Sequence, residues 1–128
     1  MNMRIAVFAS GRGSNLKAIH DAVISGKLEG VLLDLAVCDR PDAPVVDLIH
    51  KKNIPDFIFC PKDYADKNAF ETVIAEKLAE AKIELVVLAG YMRLVGAVLL
   101  EKWEGRMINL HPSLLPAFPG KDAIGQAW

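Results

Sequence analysis

Arg4-Ile5-Ala6-Val7-Phe8-Ala9-Ser10-Gly11-Arg12-Gly13-Ser14-Asn15-Leu16 is the stretch that decides the fold class. Residues 4–9 are apolar from Ile5 onward, with no polar alternation. Such a run suits a strand buried on both faces, as strands of a parallel sheet are. The run breaks at Ser10-Gly11, and helical spacing follows: Leu16, Ile19 and Val23 share one face. Ser14 or Asn15 is the expected cap of that helix, and Gly26 its end.

Working outward, the same unit recurs. Residues 31–38 form a second strand. Asp42 begins a helix with Pro44 in its first turn and Val45, Leu48 and Ile49 facing inward. Residues 56–60 are a short third strand. Asp66 opens a helix carrying Phe70, Val73, Ile74, Leu78 and Ala81 at helical spacing. A strand over 85–89, a short helix over 95–102 and a strand over 107–110 follow. Strands that alternate with helices predict an α/β protein with a doubly wound, mostly parallel sheet and helices on both faces, Rossmann-like in layout. The whole chain, 1–128, reads as one domain. Residues 122–128 have the pattern of a helix's first turns with no stop signal, so a C-terminal truncation is expected.

Composition excludes several classes. Of the 128 residues 52% are hydrophobic, enough for a sizeable core, and the net charge of −1 offers no basic excess for nucleic acid. The longest apolar stretches, such as residues 85–90, are far too short to cross a bilayer. No signal peptide precedes the first strand, which points to the cytoplasm and to reduced Cys38 and Cys60.

In open parallel sheets, ligands bind outside the carboxyl ends of the strands. Residues 10–15, 38–40, 90–93 and 109–116 all fall at such ends and should meet around one cleft. The glycine loop, Gly11-Arg12-Gly13, opens a helix whose free N–H groups favour a phosphate. No Gly-Lys-Ser/Thr follows, so it is not a Walker A loop, and Leu16 stands where a dinucleotide fingerprint has its third glycine. A phosphomonoester is therefore the expected ligand, against a glycine turn that only connects strand to helix. Asp39 reads as a loop or capping aspartate rather than a ribose ligand.

Asn109-Leu110-His111-Pro112-Ser113-Leu114-Leu115-Pro116 is the second informative stretch. Alternation puts Asn109 and His111 on one face at a strand's end. An amide donor beside an imidazole suits a developing oxyanion; the other reading is a core pair satisfied by backbone groups. His20 and His50, without such company, read as helix-surface residues. His111 lacks neighbours at ligand spacing, so no metal is expected, and Cys60 lacks a base partner.

Taken with Leu88-Ala89-Gly90-Tyr91-Met92-Arg93, these motifs resemble the phosphoribosylglycinamide formyltransferases, from residue 4 to the chain's end. The Asn-x-His-x-Ser-Leu-Leu-Pro element is shared with other 10-formyltetrahydrofolate enzymes, and the Gly-x-Gly-Ser-Asn-Leu loop narrows the resemblance. It implies transfer of a formyl group from the co-substrate 10-formyltetrahydrofolate to glycinamide ribonucleotide in purine synthesis, with no metal, by a monomer or homodimer. Gly13, Ser14, Asn15 and Leu16 would then hold the ribonucleotide phosphate. Met92, Arg93, Leu94 and Val95 would line the folate pocket, and Lys67 falls where relatives can place an arginine, though a solvated helix lysine reads equally well. Asn109 would contact the formyl oxygen, and His111 would be the protonated catalytic residue. The family's partner aspartate lies in a later loop, beyond Trp128. A formyltetrahydrofolate hydrolase would share the Asn109 and His111 site, as would a tRNA formyltransferase; a non-catalytic ribonucleotide-binding fragment is the reading from another class.

Overall fold

The computed structural model describes residues 2–110. Its elements are β1 (Met3–Ala9), α1 (Ser14–Ile24), β2 (Val31–Cys38), α2 (Pro44–Lys51), β3 (Asp56–Ile58), α3 (Lys67–Glu80), β4 (Leu85–Ala89), α4 (Ala97–Trp103) and β5 (Met107–Leu110), with a 3-10 turn at Pro61–Asp63. The sheet runs β3-β2-β1-β4-β5, and every pairing is parallel. The expected doubly wound α/β fold is thus observed.

Two apolar layers explain why the sheet's strands are so uniformly apolar. On one face Ile5, Val7 and Ala9 pack with Leu16 of α1 and with Val45 and Ile49 of α2. On the other, Ala6, Phe8, Val86 and Leu88 pack with Phe70, Ile74 and Leu78 of α3 and with Leu99 and Trp103 of α4. Alternate residues of one strand therefore enter different cores, and neither face can accept a polar residue without a partner. Fully burying each large aliphatic side chain contributes about 1.5–3 kcal/mol.

Local chemistry shifts several boundaries. Neither Ser14 nor Asn15 caps α1: the N-cap is Gly13, in left-handed conformation at φ 82° and with no side-chain cap. Gly26, at φ 85°, does end the helix, its N–H donating to the Val23 carbonyl. In α2 the N-cap is Ala43 rather than Asp42, and Pro44 takes the first helical position, where its missing N–H costs nothing. Strand β3 stops at Ile58, short of Cys60, because the chain turns into the 3-10 segment at Pro61. Helix α4 starts at Ala97, not Val95, after an extended Gly96. Asp66 caps α3 as expected, accepting from the Ala69 N–H at 2.9 Å.

His20 is a correction. It is buried, 8% exposed, because it lies one turn after Leu16 on the inward stripe of α1. Its Nδ1 has no hydrogen-bond partner among the described residues. His50 is on the surface as expected, 3.4 Å from Asp56.

Candidate functional site

Strand order reverses between β1 and β4: β2 and β3 lie to one side, β5 to the other. The crevice at such a switch point, above the carboxyl ends, is where open α/β sheets bind ligands. The loops after β1, β2 and β4 meet there, as the strand polarity requires.

The loop after β1 is set by its backbone. Gly11 accepts the Val45 N–H at 3.0 Å, tying the loop to the start of α2. Gly13 combines a left-handed φ with burial against α2, and a Cβ there would overlap the Val45 side chain. Only glycine meets both demands. The Lys17 N–H donates to the Gly13 carbonyl at 2.8 Å as the first helical bond. The amides of Ser14, Asn15 and Leu16 consequently have no acceptor within the helix, and no side chain caps them. Ser14 is exposed, Asn15 half-buried, and the Leu16 side chain is wholly in the core. From Leu16 only the backbone faces a ligand.

The other two loops are joined through side chains. The Met92 N–H donates to Ser10 Oγ at 2.8 Å, and that hydroxyl donates to Asp39 Oδ1 at 2.6 Å. Asp39 Oδ2 accepts from Arg93 Nε at 2.7 Å. Ser10 and Asp39 are buried, so each polar atom of this chain needs the next. Asp39 is therefore neither a capping nor a free loop residue but the hub of the crevice. Tyr91 packs edge-on to Phe8, with centroids 5.3 Å apart. Burial, then the charges of Asp39 and Glu71, push its hydroxyl well above the ordinary tyrosine range.

Beside this hub, on the α3 side, is a cavity of about 500 Å³ lined by Pro61, Tyr64, Ala65, Asp66, Lys67, Phe70, Met92, Arg93 and Leu94. Met92 and Leu94 are 72% and 84% exposed, so these residues after the strand are not core. Lys67 and Arg93 bring positive charge to the cavity and Asp66 negative charge, with Arg93 paired to Asp39, and the Arg93 guanidinium lies 5.9 Å from the Phe70 ring centroid. Val95 does not line it, being half-buried against the core. Asn109 is in β5, level with Leu88 of β4. Alternation places it on the same sheet face as Met107, whose side chain belongs to the α3 and α4 core. His111 lies outside the described residues.

Two residues at this crevice escape sequence reading, Glu71 and the phenol Tyr64, and the sequence places Ser10 at the cleft without its bonding role. Glu71 had a signal, since it falls on the stripe of α3 that carries Ile74, Ala75 and Leu78. A carboxylate on a buried stripe is the exception that asks for a partner. Its Oε2 accepts the Gly96 N–H at 2.7 Å. Burial raises the Cys38 thiol above its ordinary range, and it donates to the Arg40 carbonyl at 3.3 Å. Among the described residues no group of His, Cys, Asp and Glu could hold a metal, and no helix is long and apolar enough to cross a membrane.

Residues 3–128 match the formyl transferase family. A phosphoribosylglycinamide formyltransferase of Bacillus subtilis is 50% identical over 125 residues, which are 98% of this chain and 64% of that protein. The human trifunctional purine biosynthetic protein adenosine-3 is 36% identical over 97% of this chain and 12% of its own length. The solved glycinamide ribonucleotide transformylase 1 of Geobacillus kaustophilus superposes with a TM-score of 0.86 at 54% identity, covering 99% of this chain and 67% of that one. A phosphoribosylglycinamide formyltransferase from Bacillus halodurans gives 0.81 at 48% identity, covering 97% and 63%. The chain thus spans about two-thirds of the length of these bacterial relatives. By its sequence and by its backbone superposition on solved relatives, the chain belongs to the formyl transferase family, on its glycinamide ribonucleotide branch.

Proposed function

We propose that this chain supplies the ligand-binding crevice of a site that moves a formyl group from 10-formyltetrahydrofolate to the amino group of glycinamide ribonucleotide. The observation that carries the reading is the switch point itself. A helix N-terminus without a side-chain cap and a cavity lined by Lys67, Arg93 and Asp66 beside apolar and aromatic side chains flank one hydrogen-bond chain.

An open helix N-terminus favours a phosphomonoester through its free amides and its partial positive charge. Gly13 admits the phosphate closely, Ser14 adds a hydroxyl, Asn15 an amide, and Leu16 its backbone N–H. The cavity suits a flat heteroaromatic ring with an anionic tail. Met92 and Leu94 offer apolar contact, while Lys67 and Arg93 attract the carboxylates.

In the proposed reaction the ribonucleotide's amine attacks the formyl carbon. A new N–C bond forms, and the carbonyl oxygen takes the electron pair. Asn109 donates a hydrogen bond to that oxyanion, and His111, placed here by sequence alone, adds an imidazolium charge. Collapse breaks the bond to N10 of the folate. The proton lost by the amine reaches N10 by relay through His111. The reading assigns no metal and places the reaction in the cytoplasm.

The test follows tetrahydrofolate release from 10-formyltetrahydrofolate by the 128-residue chain, with and without the ribonucleotide. Release that requires the ribonucleotide and disappears in His111→Ala supports transfer, and Ser14→Ala should raise the ribonucleotide KM. Release without the ribonucleotide would replace transfer by hydrolysis. Binding of both ligands with no release would reduce the chain to a binding unit.

A further inference from the structure

Residues 92–96 have no regular structure, yet they present Met92 and Leu94 to solvent instead of collapsing onto the core. Exposed apolar side chains gain nothing by staying out, so something else holds this segment. Two carboxylates do, each almost wholly removed from water: Asp39 is 2% and Glu71 1% exposed. They approach from different elements. Asp39, at the end of β2, fixes the segment's start through Ser10 to the Met92 N–H and directly through Arg93 Nε. Glu71, from α3, fixes its end by accepting the Gly96 N–H. The second Glu71 oxygen, Oε1, has no partner among the described residues. A Cβ at residue 96 would come within 2.9 Å of that oxygen and 3.2 Å of Lys67 Cε, so Gly96 and the lysine stem close over the carboxylate.

Buried carboxylates are a poor way to gain stability, since an apolar side chain of similar size fills the same space at less cost. What they supply is one defined conformation. A loop already in its binding shape does not spend ligand affinity on being ordered.

We propose that Asp39 and Glu71 are positioning residues which staple the 92–96 segment at its two ends, so that the cavity between it and α3 stands ready for the folate before the folate arrives. The proposal rests on reading that cavity as the folate site. Neither carboxylate touches the ligand. Glu71 acts directly on a backbone amide, and Asp39 acts through the Ser10 hydroxyl and through Arg93.

Two measurements test it on the 128-residue chain. The first is amide hydrogen exchange by NMR without ligand. Glu71→Ala should speed exchange at Gly96 by roughly 10- to 100-fold, the loss expected for a hydrogen bond to a charged group, and Asp39→Ala, which releases the Ser10 hydroxyl that accepts from Met92, should speed exchange at Met92 by a smaller factor of about 2- to 10-fold. Glu71→Gln keeps an acceptor and should restore most of the protection. Gly96→Ala, which crowds Oε1 without removing the carboxylate, should loosen the same amide. The second is calorimetric titration with 5-formyltetrahydrofolate and, separately, with glycinamide ribonucleotide. The alanine variants should weaken the folate about 10-fold or more and leave the ribonucleotide within about 2-fold. Unchanged amide protection in both alanine variants would overturn the staple whatever binds there. Lost protection with unchanged folate affinity would overturn its positioning role. If the unaltered chain keeps its protection but takes no folate, the folate reading of the cavity fails while the staple stands.

Discussion

The two loops that flank the switch point are built by opposite means. The glycine loop after β1 is held by main-chain atoms: a left-handed Gly13, the Gly11 carbonyl on the Val45 amide, and close packing against α2. The segment after β4 is held by side chains from three other parts of the fold, Ser10 after β1 and Asp39 after β2 on one side and Glu71 of α3 on the other. The first arrangement leaves free backbone amides, which suit an anion. The second leaves free side chains, Met92 and Leu94, which suit an apolar ring. How a loop is held thus decides which of its groups remain for a ligand.

The contrast predicts where each loop breaks. Replacing Gly13 by valine combines left-handed strain with overlap on Val45, and together these should cost about 3 kcal/mol or more in urea unfolding. Gly11→Ala meets nothing within 4 Å and should stay within about 0.5 kcal/mol of the unaltered chain. Equal losses at the two glycines would remove the argument that Gly13 is placed by packing.

In the second loop Ser10→Ala strands both the Met92 N–H and one oxygen of Asp39. A loss of about 2 kcal/mol is expected. Combined with Asp39→Asn the effects should fall short of additive, because both changes break one chain. Strict additivity in the double-mutant cycle would show the chain to be two unrelated bonds.

Alkaline titration sharpens the comparison further, for only the side-chain-held loop packs an ionisable phenol. Tyr91 is raised above its ordinary value of 10 in the folded chain. Above pH 10 the unfolded chain therefore loses this proton while the folded chain keeps it, and stability falls as pH rises. The slope from this one group approaches about 1.4 kcal/mol per pH unit. Tyr91→Phe should flatten the stability curve above pH 10 and leave it unchanged near neutrality. An unchanged alkaline slope would mean that the phenol ionises as freely in the folded state.

The smallest effects separate the helix starts. Asp66→Ala removes the cap of α3 and should cost about 1 kcal/mol. Ser14→Ala and Asn15→Ala remove no cap from α1 and should change stability by less than about 0.5 kcal/mol, while weakening ribonucleotide binding. A large stability loss at Ser14 would place it in the fold rather than at the ligand.

Much of the fold is legible in the sequence. Strands β2, β4 and β5 lie where their apolar runs put them, because buried parallel strands are written as continuous apolar stretches. Helix starts were less legible. Ser14, Asn15 and Asp42 are all good capping types, yet Gly13 and Ala43 hold the cap positions. Propensity names residues that can cap, and loop geometry chooses among them. The polar type of His20 points to the surface, whereas its spacing from Leu16 puts it on the inward stripe, and the spacing decides.

What the sequence alone determined is the alternation of strand and helix, the glycine loop and the family that its motifs resemble. These are local patterns, carried by neighbouring residues along the chain. Only the tertiary structure decided that Ser10, Asp39, Arg93, Glu71 and Gly96 act on one loop. Ser10 and Met92 are 82 residues apart, and Arg93 is 54 from Asp39. Their meeting depends on the order in which parallel strands are laid side by side, and no local pattern of residues records that order.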